Sequence, residues 1–103
     1  MGKNKVIRSL GRCVGNVVMH KLLLLHTNKP ESKSYLNFEV EEYGADAFEK
    51  AQKFNWNEKD KQEIMIKARE RIKKLSQGYQ DVQYSPEEME KIIEETAKEL
   101  LLE

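Results

Sequence analysis

Residues 36–41 are Leu36-Asn37-Phe38-Glu39-Val40-Glu41, and whether they form a strand or a helix separates two architectures. Apolar and polar side chains alternate through it, as in a strand with one buried face. The same residues also open a longer series. Leu36, Val40, Tyr43, Ala47, Ala51 and Phe54 follow one another three or four positions apart, the spacing of one helical face. Alternation stops at Glu41, whereas the helical spacing runs on to Phe54 without a change of period. The longer pattern favours a helix. The rival is an α+β fold, with a hairpin near residues 14–27 and 34–42 followed by helices.

Upstream of this stretch, Asn28-Lys29-Pro30-Glu31 is a helix start. Asn can cap, Glu three residues later completes a capping box, and Pro is tolerated in a first turn. Before it, Val6, Ile7, Leu10, Cys13, Val14, Val17, Val18, Leu22, Leu24 and Leu25 share one broad side of a helix over residues 4–27. Met19, Leu23 and Lys21 depart from that pattern. Read as a strand, the segment would put Asn16, Val18, His20 and Leu22 on one face, so alternation fails.

Downstream, Asn57-Glu58-Lys59-Asp60 starts a third helix, with the stripe Ile64, Ala68, Ile72 and Leu75; Gly78 is placed to end it in a left-handed turn. Ser85-Pro86-Glu87-Glu88 is the strongest local signal: Ser as cap, Pro at the first helical position, Glu at the third. Met89, Ile92, Ile93, Thr96, Ala97 and Leu100 supply the last stripe. The expected helices are roughly 24, 24, 19 and 17 residues long. The fold class is all-α: a small four-helix bundle-like domain with mostly short loops, residues 1–103 forming one domain and neighbours among the first three helices antiparallel.

Composition narrows the function classes. The chain is 35% charged and 39% hydrophobic, a folded mixture. Its longest apolar run is Leu22–Leu25, far short of the roughly 20 residues of a membrane span. A single cysteine excludes an internal disulfide and a cysteine-built zinc site. With no secretory pattern at the N-terminus, a lone thiol suggests the cytoplasm. Glu and Lys make up 29 of 103 residues, an enrichment associated with hot environments.

Net charge is zero, but its distribution is uneven. Residues 1–34 hold seven basic residues and one acid, Glu31; residues 35–103 hold eleven basic and seventeen acidic. Lys5, Arg8 and Arg12 lie on one polar helical face, with Lys3 nearby. Positive charge at a helix N-terminus opposes the macrodipole at about 0.3–1 kcal/mol per charge. Two compensations are open: an acidic face of the same chain, such as Glu87, Glu90 and Glu94 of the last helix, or the phosphates of RNA or DNA. No aromatic residue is interleaved with these cations, so no base-stacking platform is indicated. A second basic run, Lys67, Arg69, Arg71, Lys73 and Lys74, reads as a local feature. It closes the third helix at the negative end of its dipole, and Glu63–Lys67 and Glu70–Lys74 have the spacing of ion pairs.

Gly11 and Gly15 lie four apart inside the first helix, each costing about 1 kcal/mol against Ala. With Val18 and Leu22 they form a seam that would admit a second helix closely, within the chain or across a dimer. The competing reading is that they break the helix. Phe38, Ala45 and Trp56 fall opposite the main stripe of the second helix, with Phe48 nearby; Met19, Leu23 and Ile66 also stray. A helix apolar on two sides is central in a bundle or covered by a partner.

Other candidates are weaker. Lys21 and Lys50 fall on apolar sides, where a lysine usually reaches water or a carboxylate and only seldom acts as a base. Cys13 and His20 are about 10.5 Å apart along a helix, too far for one metal. No nucleophile motif, phosphate loop or His–Glu ligand spacing occurs. The sequence therefore points to a non-catalytic binding or assembly protein with no metal or cofactor. It would act through homo-oligomerisation or a helical protein partner at Gly11, Gly15, Val18, Leu22, Phe38, Phe48 and Trp56. The alternative is a nucleic-acid-associated protein using Lys3, Lys5, Arg8 and Arg12.

Overall fold

The start signals at Asn57 and Ser85 are both realised as caps. Asn57 Oδ1 accepts from the Asp60 N–H at 2.8 Å, and Asp60 Oδ2 accepts from the Asn57 N–H at 3.2 Å. Each side chain thereby satisfies one orphan donor of the first turn. Ser85 Oγ accepts from the Glu88 N–H at 3.1 Å, with Pro86 at the first helical position.

These caps open the last two of four helices in the computed structural model, which describes residues 2–27, 30–79 and 82–100. The helices are α1 (Lys3–His26), α2 (Pro30–Ala51), α3 (Glu58–Ser76) and α4 (Pro86–Glu99). No strand occurs among the described residues, and 36–41 is helical throughout. The Asn28 cap lies outside the described residues. Two boundaries differ from expectation. α2 stops at Ala51, so Phe54 belongs to the following turn. Gly78 does not take a left-handed φ; α3 ends instead with the Gly78 N–H donating to the Leu75 carbonyl at 3.0 Å.

The chain runs up, down, up, down, with α1 as the hub. α1 packs extensively against α2, α3 and α4. Paired residues fix the directions. Cys13 meets Asp46 and His20 meets Tyr43, so α2 is antiparallel to α1. Lys3 meets Asp60 and Asn16 meets Arg71, so α3 is parallel to it. Lys21 meets Glu99 and His26 meets Glu88, so α4 is antiparallel.

Centrality explains the residues that departed from α1's apolar side. Met19 and Leu23 are buried along with Leu10, Val14, Val18 and Leu22. A helix enclosed on three sides buries more than one stripe. At the open end of the helix Leu25, assigned to the buried side by periodicity, is exposed. The core is completed by Ala47 and Ala51 of α2, Ile64, Ala68 and Ile72 of α3, and Ile92, Ile93 and Ala97 of α4.

Candidate nucleic-acid interface

Gly11 and Gly15 lie within an unbroken α1, and their place in the fold follows from what surrounds them. A Cβ added at Gly11 would stand 2.4 Å from the Lys67 Cβ; one at Gly15 would stand 2.6 Å from the Arg71 Cβ and 2.9 Å from the Ala68 carbonyl oxygen. The missing side chains let α3 lie directly on α1, and the seam is filled within the chain. Gly11, Gly15, Val18 and Leu22 are buried. α3 covers Gly11 and Gly15, and Val18 and Leu22 are buried in the core, so none of the four is exposed in the folded chain.

The crossing has an electrostatic consequence. It lays the two basic runs side by side. Arg8, Arg12 and Asn16 of α1, with Lys67, Glu70, Arg71 and Lys74 of α3, line a surface groove of about 490 Å³. Five cations face one carboxylate. Glu70 reaches only Lys67, at 3.5 Å, and Arg71 Nε donates to Asn16 Oδ1 at 3.0 Å. Among the described residues, Arg8, Arg12 and Lys74 make no ion pair. The pairs expected within α3, Glu63–Lys67 and Glu70–Lys74, do not form.

The acids of α4 do not compensate this face. Glu90 is held by Arg69 in two hydrogen bonds of 2.7 and 3.0 Å, on another side of α3. The Arg69 hydrogen bonds hold the Glu90 carboxyl below its usual range. Glu88 pairs with His26 at 2.5 Å, and Glu99 with Lys21 at 3.0 Å. Both contacts lie at the C-terminal half of α1, away from Arg8 and Arg12. Lys3 leaves the candidate set, because it pairs with Asp60 at 2.6 Å and lies 5.6 Å from the Trp56 ring centroid. That pair puts an acid beside the uncapped first turn of α1 and holds the Asp60 carboxyl below its usual range. Lys5 is exposed beside the groove without lining it.

The aromatic candidates divide. Phe38 and Phe48 are 57% and 44% exposed on the outside of α2. Trp56 is not part of that surface. It packs against the core, donates Nε1–H to the Ala51 carbonyl at 2.8 Å and meets Phe54 edge-on at 5.6 Å. Its position past the end of α2 takes it off the helical face that periodicity gave it. A larger groove, about 880 Å³, separates α3 from α4, with Met65, Ile66, Ile93 and Ala97 among its lining residues. Only the stray Ile66 hinted at it in the sequence.

The polar candidates on apolar helix sides, Lys21 and Cys13 of α1 and Lys50 of α2, are all engaged. Lys21 Nζ donates to Thr96 Oγ1 and Glu99. Lys50 donates to Asp46 at 2.8 Å, which raises the lysine's pKa and lowers the acid's, the opposite of what a catalytic base requires. Cys13 Sγ donates to Asp46 Oδ2 at 3.3 Å. Burial first, then that hydrogen bond, pushes the thiol up to about 11. No group of His, Cys, Asp and Glu suited to a metal occurs among the described residues. No helix among them is long and apolar enough to cross a membrane. No family model, curated protein or solved structure matches this chain.

Proposed function

We propose that this protein is a non-catalytic nucleic-acid-associated protein that holds phosphates in the groove between α1 and α3. The observation that carries the reading is the convergence of Arg8, Arg12, Lys67, Arg71 and Lys74 around a single carboxylate. Two like charges about 6 Å apart repel by about 0.7 kcal/mol even in bulk water, and a polyanion removes that cost while releasing its own counterions. Arg8 and Arg12 lie one helical turn apart, about 6 Å along the axis, so both present to the same edge of the groove. Fluorescence anisotropy with a labelled oligonucleotide tests this. Binding is expected at low salt, weakening steeply as salt rises to about 0.2 M. The double variant Arg8→Glu/Arg12→Glu is expected to lose at least about tenfold in affinity with an unchanged circular dichroism spectrum. Absence of binding at low salt overturns the reading.

A second reading is supported by the outer face of α2, where Phe38 and Phe48 stand exposed among Glu41, Glu42 and Glu49. Such a face suits a protein partner or a second copy of the chain. It ranks second because most of the other residues that argued for association are covered within the chain, the glycine seam, Met19 and Leu23 wholly and Trp56 in part, while Ala45 and Ile66 stay exposed. Sedimentation equilibrium checks self-association. A monomer at tens of micromolar, unchanged by Phe38→Glu, sets it aside.

A further inference from the structure

Resting on the phosphate-binding reading above, we infer that the ligand of the α1–α3 groove is the backbone of a nucleic-acid duplex, held without preference for sequence. Three observations lead there. First, the lining residues Arg8, Arg12, Asn16, Lys67, Glu70, Arg71 and Lys74 include no aromatic ring. Proteins that hold single strands offset the ordering of a flexible chain by stacking bases on aromatic side chains. This groove has nothing to stack them on, whereas a duplex arrives already ordered. Second, the cations sit on two helices locked together by the glycine seam, with Lys67 and Arg71 rooted directly over Gly11 and Gly15. A fixed array of charges suits a ligand whose phosphates are themselves at fixed spacing. Third, the one lining side chain with the donor–acceptor pair that reads a base edge is Asn16, whose oxygen is already bound by Arg71. The five cations are placed to reach phosphates, which position a ligand and carry no sequence information, and an arginine bonded to guanine instead would show as a preference between duplexes.

The flanks limit the footprint. α2 carries six acids against two lysines, and α4 carries six against two. A duplex cannot wrap onto them without meeting like charge, so contact centres on the five groove cations, with Lys5 at their edge.

The experiment compares a labelled duplex of about 20 base pairs, each of its separated strands, and a second duplex of unrelated sequence, in anisotropy titrations at several salt concentrations. The expected result is a duplex at least tenfold tighter than either strand, with the two duplexes within about twofold of each other. The slope of log affinity against log salt is expected near −4.5, about −0.9 for each of five phosphates. Lys74→Glu tests the groove with little risk to folding, because Lys74 is exposed and without an ion pair. It is expected to weaken duplex binding about tenfold and lower the slope by about 1. Strands that bind as tightly as the duplex, and lose it in Lys74→Glu, overturn the duplex inference and leave the phosphate reading standing. Strong preference for one duplex overturns the claim of sequence independence. No binding by any probe, or binding that Lys74→Glu and Arg8→Glu/Arg12→Glu leave unchanged, overturns both.

Discussion

Against α3, it is α1 that supplies the small residues. Gly11 and Gly15 vanish so that Lys67 and Arg71 can root over them. Against α2 the roles are exchanged, and Ala47 and Ala51 of the partner helix are the small, buried residues. The polar contacts differ too. The α2 side joins opposite charges and dipoles, Cys13 to Asp46 and Asp46 to Lys50. The α3 side brings cation to cation with Asn16 as the lone polar link between the groove walls. The α2 crossing neutralises itself; the α3 crossing does so only at its Lys3–Asp60 end and keeps a net positive charge along the groove. Packing alone gives no reason for that difference, and it is the difference on which the functional reading rests.

The largest expected effect tests how close the α3 crossing is. Gly11→Ala with Gly15→Ala overpacks a contact bounded by backbone, and the pair is expected to lose roughly 2–5 kcal/mol in urea unfolding despite the better helix propensity of Ala. A pair variant as stable as the parent would dissolve the contrast. At the other crossing, Ala47→Leu is expected to cost about 1–3 kcal/mol. Since α2 does not line the groove, it should leave polyanion affinity unchanged in the folded protein, which anisotropy checks.

The α2 side is also expected to respond to pH at both ends. The Cys13 pKa is raised from 9.0 to about 11, so its contribution is whole below pH 9 and is lost as pH rises through about 11. At pH 8 the native thiol should react with iodoacetamide about a hundredfold more slowly than in denaturant, following its thiolate fraction. Asp46 is held below its ordinary value by Lys50 first and then by Cys13. Its contribution is therefore present above about pH 4 and lost as pH falls through its lowered value. Asp46→Asn should flatten that acid limb in thermal melts. The smallest effect is a gain. Gly44 lies in α2 with nothing within 4 Å of an added Cβ, so Gly44→Ala should stabilise by about 0.5–1 kcal/mol in the same unfolding assay. A loss there would mean that α2's outer side is covered in solution.

Much of the fold was legible because helix signals are local. Asn57 and Ser85 announce their caps within four residues, and the stripe of α2 outlasts the alternation at 36–41. What periodicity could not show is which helix is enclosed. Met19 and Leu23 looked like strays because a wheel weighs one helix at a time, and only three neighbours together bury them. The groove was half visible. Arg8 and Arg12 stood out as acid-free, yet Lys67–Lys74 had a sufficient local explanation in the helix dipole. Asn16 and Arg71 are 55 positions apart, and no local pattern links them. The glycine spacing was the one available clue, and it announced a close neighbour without saying which.

The hub position of α1 also bears on how the chain comes into being. α1 is made first, but its contacts with α4, such as Lys21 to Glu99, wait for residues 78 positions later. At about 5–20 residues per second, the emerging helix carries oily surface on several flanks for seconds before its last cover exists. The burial of α1 is therefore complete only once all three of its covering helices have joined it.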